Sequence, residues 1–240
     1  MVTGAAIGFW TANDVLLTLE ECKAATEETH RLRRRVTANA CGAQGIKNAV
    51  LAGVDCIEHG THIAEDEEVL KMIVDRRIGW VPAFYVYEIQ TSRAREAKAR
   101  GEKIGLPDYW IQRVSEEYEV LIRNFQRAME AGVLAGMGTD SGAPYLLHGK
   151  NAQEMELYVR FGLSEMDAIV AATRSAAEIL GMEDTLGTVE AGKEADVIVV
   201  TKDPLKDIKV LQDNENVALV IKGGKIVVDR RGQPAGKWVE

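Results

Sequence analysis

Residues 36–60 read VTANACGAQGIKNAVLAGVDCIEHG, and this stretch decides the fold. Val36-Thr-Ala-Asn-Ala40 is a short β-type run. Gly45 to Gly53 (GIKNAVLAG) is helical and closed by a glycine stop, and Val54-Asp-Cys-Ile57 is a second β-type run that ends in Glu58-His59-Gly60. Two short strands joined by a helix form a βαβ unit, which demands parallel pairing and places helices over the sheet. Downstream the alternation continues. Asp66 to Arg77 is a helix, Ile78 to Phe84 a strand, Asp108 to Ala131 a long helix, and Leu134 to Met137 a small-residue strand ending in Gly138-Thr-Asp-Ser-Gly142. Helices follow at Asn151–Phe161, Ser164–Thr173 and Ser175–Leu180. Upstream, Thr18-Leu-Glu-Glu21 is a capping box that opens a helix running to Arg35. Four βα units therefore lie between Val36 and Leu180, the pattern of an α/β protein with a parallel sheet. Beyond Gly181 the character changes. Ala195–Val200, Val217–Ile221 and the run up to Val228 are strands, the last two joined by Gly223-Gly224, and they predict a small β module.

The chain has 240 residues, 46% of them apolar and 28% charged, which suits a soluble globular protein of one or two domains. A formal charge of −8 argues against a nucleic-acid binder. The densest basic run, Arg31 to Arg35, falls at a helix end, where cations favour the helix dipole. No apolar run is long enough to span a bilayer. The first residues, MVTGAAIGFWTAND, lack the basic opening of a secretory leader. Three cysteines without CxxC spacing fit reduced thiols, so the expectation is a cytoplasmic protein.

In parallel α/β sheets, chemistry collects at the carboxyl ends of the strands. Four such ends carry distinctive residues: Asn39 to Cys41, His59 to His62, Pro82 to Tyr85, and Thr139 to Ser141. An imidazole and a carboxylate from separate strands could share a divalent ion. On the residues alone, His59 is equally readable as a hydrogen-bonded core histidine, and Asp140 as a turn residue or a helix cap. His62, three residues after His59, could be a second ligand, but the helix start that follows favours a solvent-facing or capping role. Trp80, Phe84, Tyr85 and Tyr87 read as packing aromatics or a pocket wall, and Arg93 to Lys103 as a solvated helix and loop.

Taken together, Ile57-Glu-His-Gly-Thr61, Gly138-Thr-Asp-Ser-Gly142, Ala171–Gly181 (AATRSAAEILG) and LGTVEAGKEADVIVVTKDPLKDI resemble the amidohydrolase superfamily. The likeness is to imidazolonepropionase-like proteins and Xaa-Pro dipeptidases, and it covers nearly the whole chain. It implies a partial (β/α)8 TIM-type barrel, strands five to eight with their helices, over residues 1–185, followed by a C-terminal β-sandwich segment over 186–240. It implies one or two divalent metal ions, zinc foremost, that activate water against a C–N bond of a peptide-like or cyclic amide. His59 then matches the sixth-strand metal ligand, and Asp140 the eighth-strand aspartate that is both ligand and catalytic base. His148 falls in the loop after the eighth strand, where barrels gather substrate contacts, and reads equally as an ordinary loop residue; with Tyr85 of the pocket-wall reading it is the candidate contact for a small-molecule amide or dipeptide substrate.

The sequence also departs from the family. It contains no HxH, and Met1 to Gly4 resembles the loop just after the fourth strand, so the metal-bridging lysine or glutamate would precede it. Where VTAHAHG is usual, this chain has VTANACG, leaving Asn39 and Cys41 as substitute ligands. The expectation is a hydrolase that is inactive as an isolated chain and is completed by an N-terminal half-barrel chain. The alternative is a non-catalytic half-barrel that self-associates as a homo-oligomer.

Overall fold

The computed structural model describes residues 1–4 and 10–231. Part of the apolar run read above for a leader, residues 5–9, lies outside the described residues, as does the end of the β tail, 232–240. The chain divides into two compact units, Met1–Gly149 and Lys150–Glu240.

The first unit opens with α1 (Leu19–Arg31), whose capping box is formed: Glu21 N–H donates to Thr18 Oγ1 at 3.2 Å and Thr18 N–H to Glu21 Oε2 at 2.8 Å. It continues with β1 (Thr37–Ala40), α2 (Ala43–Ala52), β2 (Cys56–His59), α3 (Glu67–Asp75), β3 (Gly79–Val81), α4 (Phe84–Ala99), α5 (Asp108–Ala131) and β4 (Leu134–Ala135). The four strands form one sheet in the order β1-β2-β3-β4, and every pairing is parallel. Sequential order and parallel pairing follow from the short strand–helix–strand repeats.

The glycine stop expected at Gly53 is formed, and Gly132 provides a second one. Gly53 and Gly132 close α2 and α5 in the left-handed conformation, where a residue without Cβ carries no steric penalty. The core under the helices is built from Ile46, Ile57, Ile73, Trp80, Phe84, Leu121 and Phe125, each at most 1% exposed. Phe84 and Phe125 meet edge to face at 4.9 Å, a favoured aromatic geometry.

Two expectations are corrected. The strand read from Ile78 to Phe84 stops at Val81, because Ala83 takes a left-handed φ of 53° and Phe84 begins α4. The first helix ends at Arg31, short of Arg35, since Arg33 at φ 56° cannot continue it.

The second unit contains α6 (Ala152–Arg160), α7 (Glu165–Val170), a π turn (Ala171–Ser175) and α8 (Ala176–Leu180), then β5 (Val197–Val200), β6 (Val217–Lys222) and β7 (Lys225–Asp229). The three strands form an antiparallel sheet, with β6 and β7 joined through Gly223-Gly224, both at positive φ. Short 3-10 turns at Ile208–Gln212 and Asn214–Asn216 bridge β5 to β6. Among the described residues no helix is long and apolar enough to cross a membrane.

Candidate active site

The residues singled out at strand ends converge on the carboxyl edge of the parallel sheet. Register places Ala40 opposite His59 and Asn39 opposite Glu58. His59 and Asp140 share a rare feature: each is a non-glycine residue at positive φ, 63° and 57°. Such strain costs on the order of 1–3 kcal/mol and persists where surrounding structure imposes it. At His59 the imposing contacts are visible. Trp80 Nε1 donates to the His59 carbonyl at 2.8 Å, and a Cβ at Gly60 would meet that same Nε1 at 2.7 Å. Only glycine at position 60 lets the indole reach this carbonyl.

The His59 imidazole packs edge-on against Tyr87 at 6.2 Å. Burial drives its pKa down, with Asp140 and then Glu58 pulling the other way. The ring is therefore neutral near pH 7, and its Nδ1 is buried without a hydrogen-bond partner among the described residues. A neutral imidazole is the form that can donate a lone pair. Asp140 follows β4 with its side chain exposed, and its carbonyl accepts from Ala143 N–H at 3.3 Å in the turn behind it. No helix starts there, so Asp140 caps none; α6 begins at Ala152.

Asn39 and Cys41 are less suited to ligation. Asn39 Oδ1 is buried with no hydrogen-bond partner among the described residues, but it is a neutral amide oxygen. Cys41 is fully buried, hydrogen-bonded to Tyr87, and its thiol is pushed up to about 12 by burial and then by the Glu117 charge. The thiolate that binds metals is strongly disfavoured there. Among the described residues no group of three or more His, Cys, Asp or Glu side chains could hold a metal ion. His59 and Asp140 fit as two donors, whereas a zinc centre takes three or four. The described donors therefore do not fit a complete metal centre by themselves.

His62 is neither solvent-facing nor a cap. Asp66 caps α3, and the His62 side chain, 16% exposed, bridges Glu65 (Nδ1 to Oε1, 2.7 Å) and Glu117 on α5 (Nε2 to Oε2, 3.4 Å). Burial opposes its charge, but Glu117 and Glu65 outweigh it and raise its pKa. Thr61 Oγ1 donates to the same Glu117 oxygen at 2.6 Å. The sequence gives no signal for Glu117, which reads as one more charge on a polar helix; its partners lie more than fifty residues away. Tyr85 is half-buried in the first turn of α4, and His148 is exposed in the loop after β4, where a Cβ at Gly142 would meet its Nε2 at 3.8 Å.

A parallel α/β sheet with a strained histidine and aspartate at its carboxyl edge defines a class: α/β proteins whose chemistry, if any, is built on strand-end loops. The chain belongs to the Amidohydrolase family, whose sequence profile matches residues 4–227. It is 35% identical over 225 residues to ochratoxinase of Aspergillus niger, covering 92% of this chain and 43% of that protein. An imidazolonepropionase of Symbiobacterium thermophilum is 37% identical over 71 residues, 30% of this chain and 17% of the relative. A crystal structure of a Xaa-Pro dipeptidase with bound methionine superposes with a TM-score of 0.80 at 33% identity, covering 94% of this chain and 52% of the other. The chain thus spans about half the length of the relatives that match it along most of its sequence.

Proposed function

We propose that this chain is the strand-five-to-eight half of an amidohydrolase barrel, residues 1–185, with a β-sandwich segment from 186 onward. In this reading it contributes His59 and Asp140 to a centre that hydrolyses the C–N bond of a peptide-like or cyclic amide. The observation that carries the reading is the strained pair: a neutral imidazole whose buried Nδ1 has no hydrogen-bond partner among the described residues, and an aspartate whose charge acts on it, one at the end of β2 and the other in the loop after β4. Asp140 takes a proton from the attacking water and returns it to the leaving amine. His59, neutral and held through Trp80, offers a nitrogen lone pair. A divalent ion, zinc by family likeness, would supply water activation, with His59 and Asp140 holding it beside donors outside this set. The likeness to a Xaa-Pro dipeptidase supports a peptide-like amide as substrate.

The test is co-expression of this chain with a half-barrel carrying HxH and a bridging lysine or glutamate, assayed on N-acyl amino acids and dipeptides. Hydrolysis should appear only in the pair and should vanish in Asp140→Asn. Turnover that survives Asp140→Asn, or that the isolated chain performs alone, removes the reading.

Asn39 and Cys41, standing where imidazoles are usual, favour a second reading, a non-catalytic half-barrel that closes on a second copy of itself. Under that reading no pairing restores hydrolysis, while the chain still associates.

A further inference from the structure

Neither helix formation nor core packing explains a carboxylate at position 117 of α5. The face that this helix turns to the core carries Val114, Tyr118, Leu121, Phe125 and Ala128, all buried and at the spacing of one helical stripe. Two polar side chains interrupt that stripe seven residues apart, Glu117 at 17% exposed and Asn124 at 5%. Burial works against the Glu117 charge. An apolar side chain in such a place is often as stabilising as a buried ion pair, or more so. What the carboxylate does is visible in its partners.

Glu117 and Asn124 both reach one segment, the turn Gly60-Thr61-His62 that follows His59. Thr61 Oγ1 lies 2.6 Å from Glu117 Oε2 and 3.2 Å from the Cys41 carbonyl. A hydroxyl has one proton to give, and the carboxylate is the nearer and the charged acceptor. The Cys41 carbonyl is left to the His62 N–H, at 3.0 Å. Asn124 Nδ2 donates to the Thr61 carbonyl at 2.9 Å, and His62 Nε2 approaches the same Glu117 oxygen at 3.4 Å. At the start of the turn Trp80 holds the His59 carbonyl. The turn is thus tethered from β3 at its start, from α5 in its middle and from the end of β1 at His62. Rotation of His59 out of its φ of 63° swings the chain at Gly60 and Thr61, and α5 holds Thr61 by both its hydroxyl and its carbonyl.

We propose that Glu117 is a positioning residue of the strand-end centre: by holding Thr61 it fixes the turn that aims the His59 imidazole. The catalytic consequence rests on the functional reading given above, whereas the placement of the ring does not.

The chain has four histidines, so a His59→Gln variant assigns the His59 ring resonances in proton–carbon spectra of the full chain. That ring meets Tyr87 edge-on at 6.2 Å, so its signals carry the ring current of Tyr87 and report displacement. Near neutral pH, Glu117→Ala and Thr61→Val should each shift or broaden them. Glu117→Gln, whose amide oxygen still accepts from Thr61, should return them to their wild-type positions. Glu119→Ala, which removes an exposed carboxylate from the same helix, should leave them in place. Thr61→Val keeps the shape of its side chain and leaves α5 intact, so it decides the matter if Glu117→Ala does not fold. In an active pair of halves, Glu117→Ala and Thr61→Val should lower kcat about tenfold or more with KM changed less than about twofold, since a small misplacement of a reacting group can cost on the order of a hundredfold. Glu117→Gln should recover most of that loss. His59 signals that stay in place in both Glu117→Ala and Thr61→Val, or a Glu117→Gln that behaves as Glu117→Ala, overturn the proposal whether or not the pair is active. Unchanged kcat for those variants in a pair that hydrolyses overturns it as well. A wild-type pair without hydrolysis instead removes the functional reading, and the ring signals still decide the role of Glu117.

Discussion

His59 sits in the left-handed region because its carbonyl is held by Trp80 and the next residue has no side chain to block the indole. Gly60→Ala should therefore cost about 2 kcal/mol or more, the sum of an unfavourable φ of 55° and a forced shift of a buried Trp80. Gly53 provides the contrast: it also has positive φ, 85°, but a Cβ there meets nothing within 4 Å. Gly53→Ala should cost only about 1 kcal/mol. Urea unfolding of both variants reads the difference, and equal losses would mean that the indole contact does not set the conformation of His59. Burial decides the chemistry of the cysteines at the same scale. With thiols at about 12, Cys41 and Cys56 carry roughly one part in ten thousand of thiolate at pH 8. Iodoacetamide at that pH should leave both unlabelled in the native chain, while the chain in denaturant takes up label at all three cysteines. Rapid native labelling of Cys41, read by peptide mass spectrometry, would restore it as a candidate ligand.

At the scale of elements, His62 fastens the loop after β2 to α5 through Glu117, and the link titrates. The pKa of His62 is raised above the ordinary 6.5, so its contribution to stability is complete below that value and is lost as pH climbs through the raised one. The pKa of Glu117 is lowered below the ordinary 4.5, despite burial, by His62 and Thr61, so its contribution is present above 4.5 and is lost as pH falls through the lowered value. The bridge is strongest between these two limits. His62→Gln should then reduce the free energy of unfolding most near pH 5.5, by roughly 1–2 kcal/mol, and progressively less toward pH 8.5, as read by urea unfolding at each pH. A constant deficit across that range would show that packing rather than charge makes the link. Elements such as α5 were legible in the sequence because Pro107 and Gly132 punctuate it and its apolar stripe is regular. The start of α4 was not, because Phe84, Tyr85 and Val86 are β-formers that continue the run from β3; only the left-handed turn at Ala83 separates them. The site divides the same way. His59 and Asp140 stand at strand ends, where position in the sequence predicts position in space. Glu117 reaches the site only through the packing of α5 against the loop after β2, which no local pattern announces.

For the molecule as a whole, the parallel sheet sets the remaining question. Its order leaves β1 and β4 at the two edges, and an unpaired parallel edge presents backbone donors and acceptors to any strand that can meet them. Among the described residues the β1 edge is matched by Val2 N–H donating to Asn39 C=O at 2.8 Å and Cys41 N–H to Thr3 Oγ1 at 2.9 Å. Exposed apolar side chains in the same unit, Met1, Val15 and Leu32 among them, add surface that burial would stabilise. Isolated from any partner, the chain is therefore expected to self-associate, with a mass by sedimentation equilibrium at micromolar concentration of at least twice its 26.3 kDa. Zinc occupancy measured on the same sample then separates the two functional readings. In the complementary-half reading the self-associated chain carries well below one zinc per chain, and occupancy rises when a half-barrel with HxH replaces the second copy, because His59 and Asp140 then gain the further donors they need. In the non-catalytic reading occupancy stays low with either partner. A chain that remains monomeric at these concentrations would show that its edges are already satisfied, and the case for a partner, whether a second copy or a complementary half, would lose its physical basis.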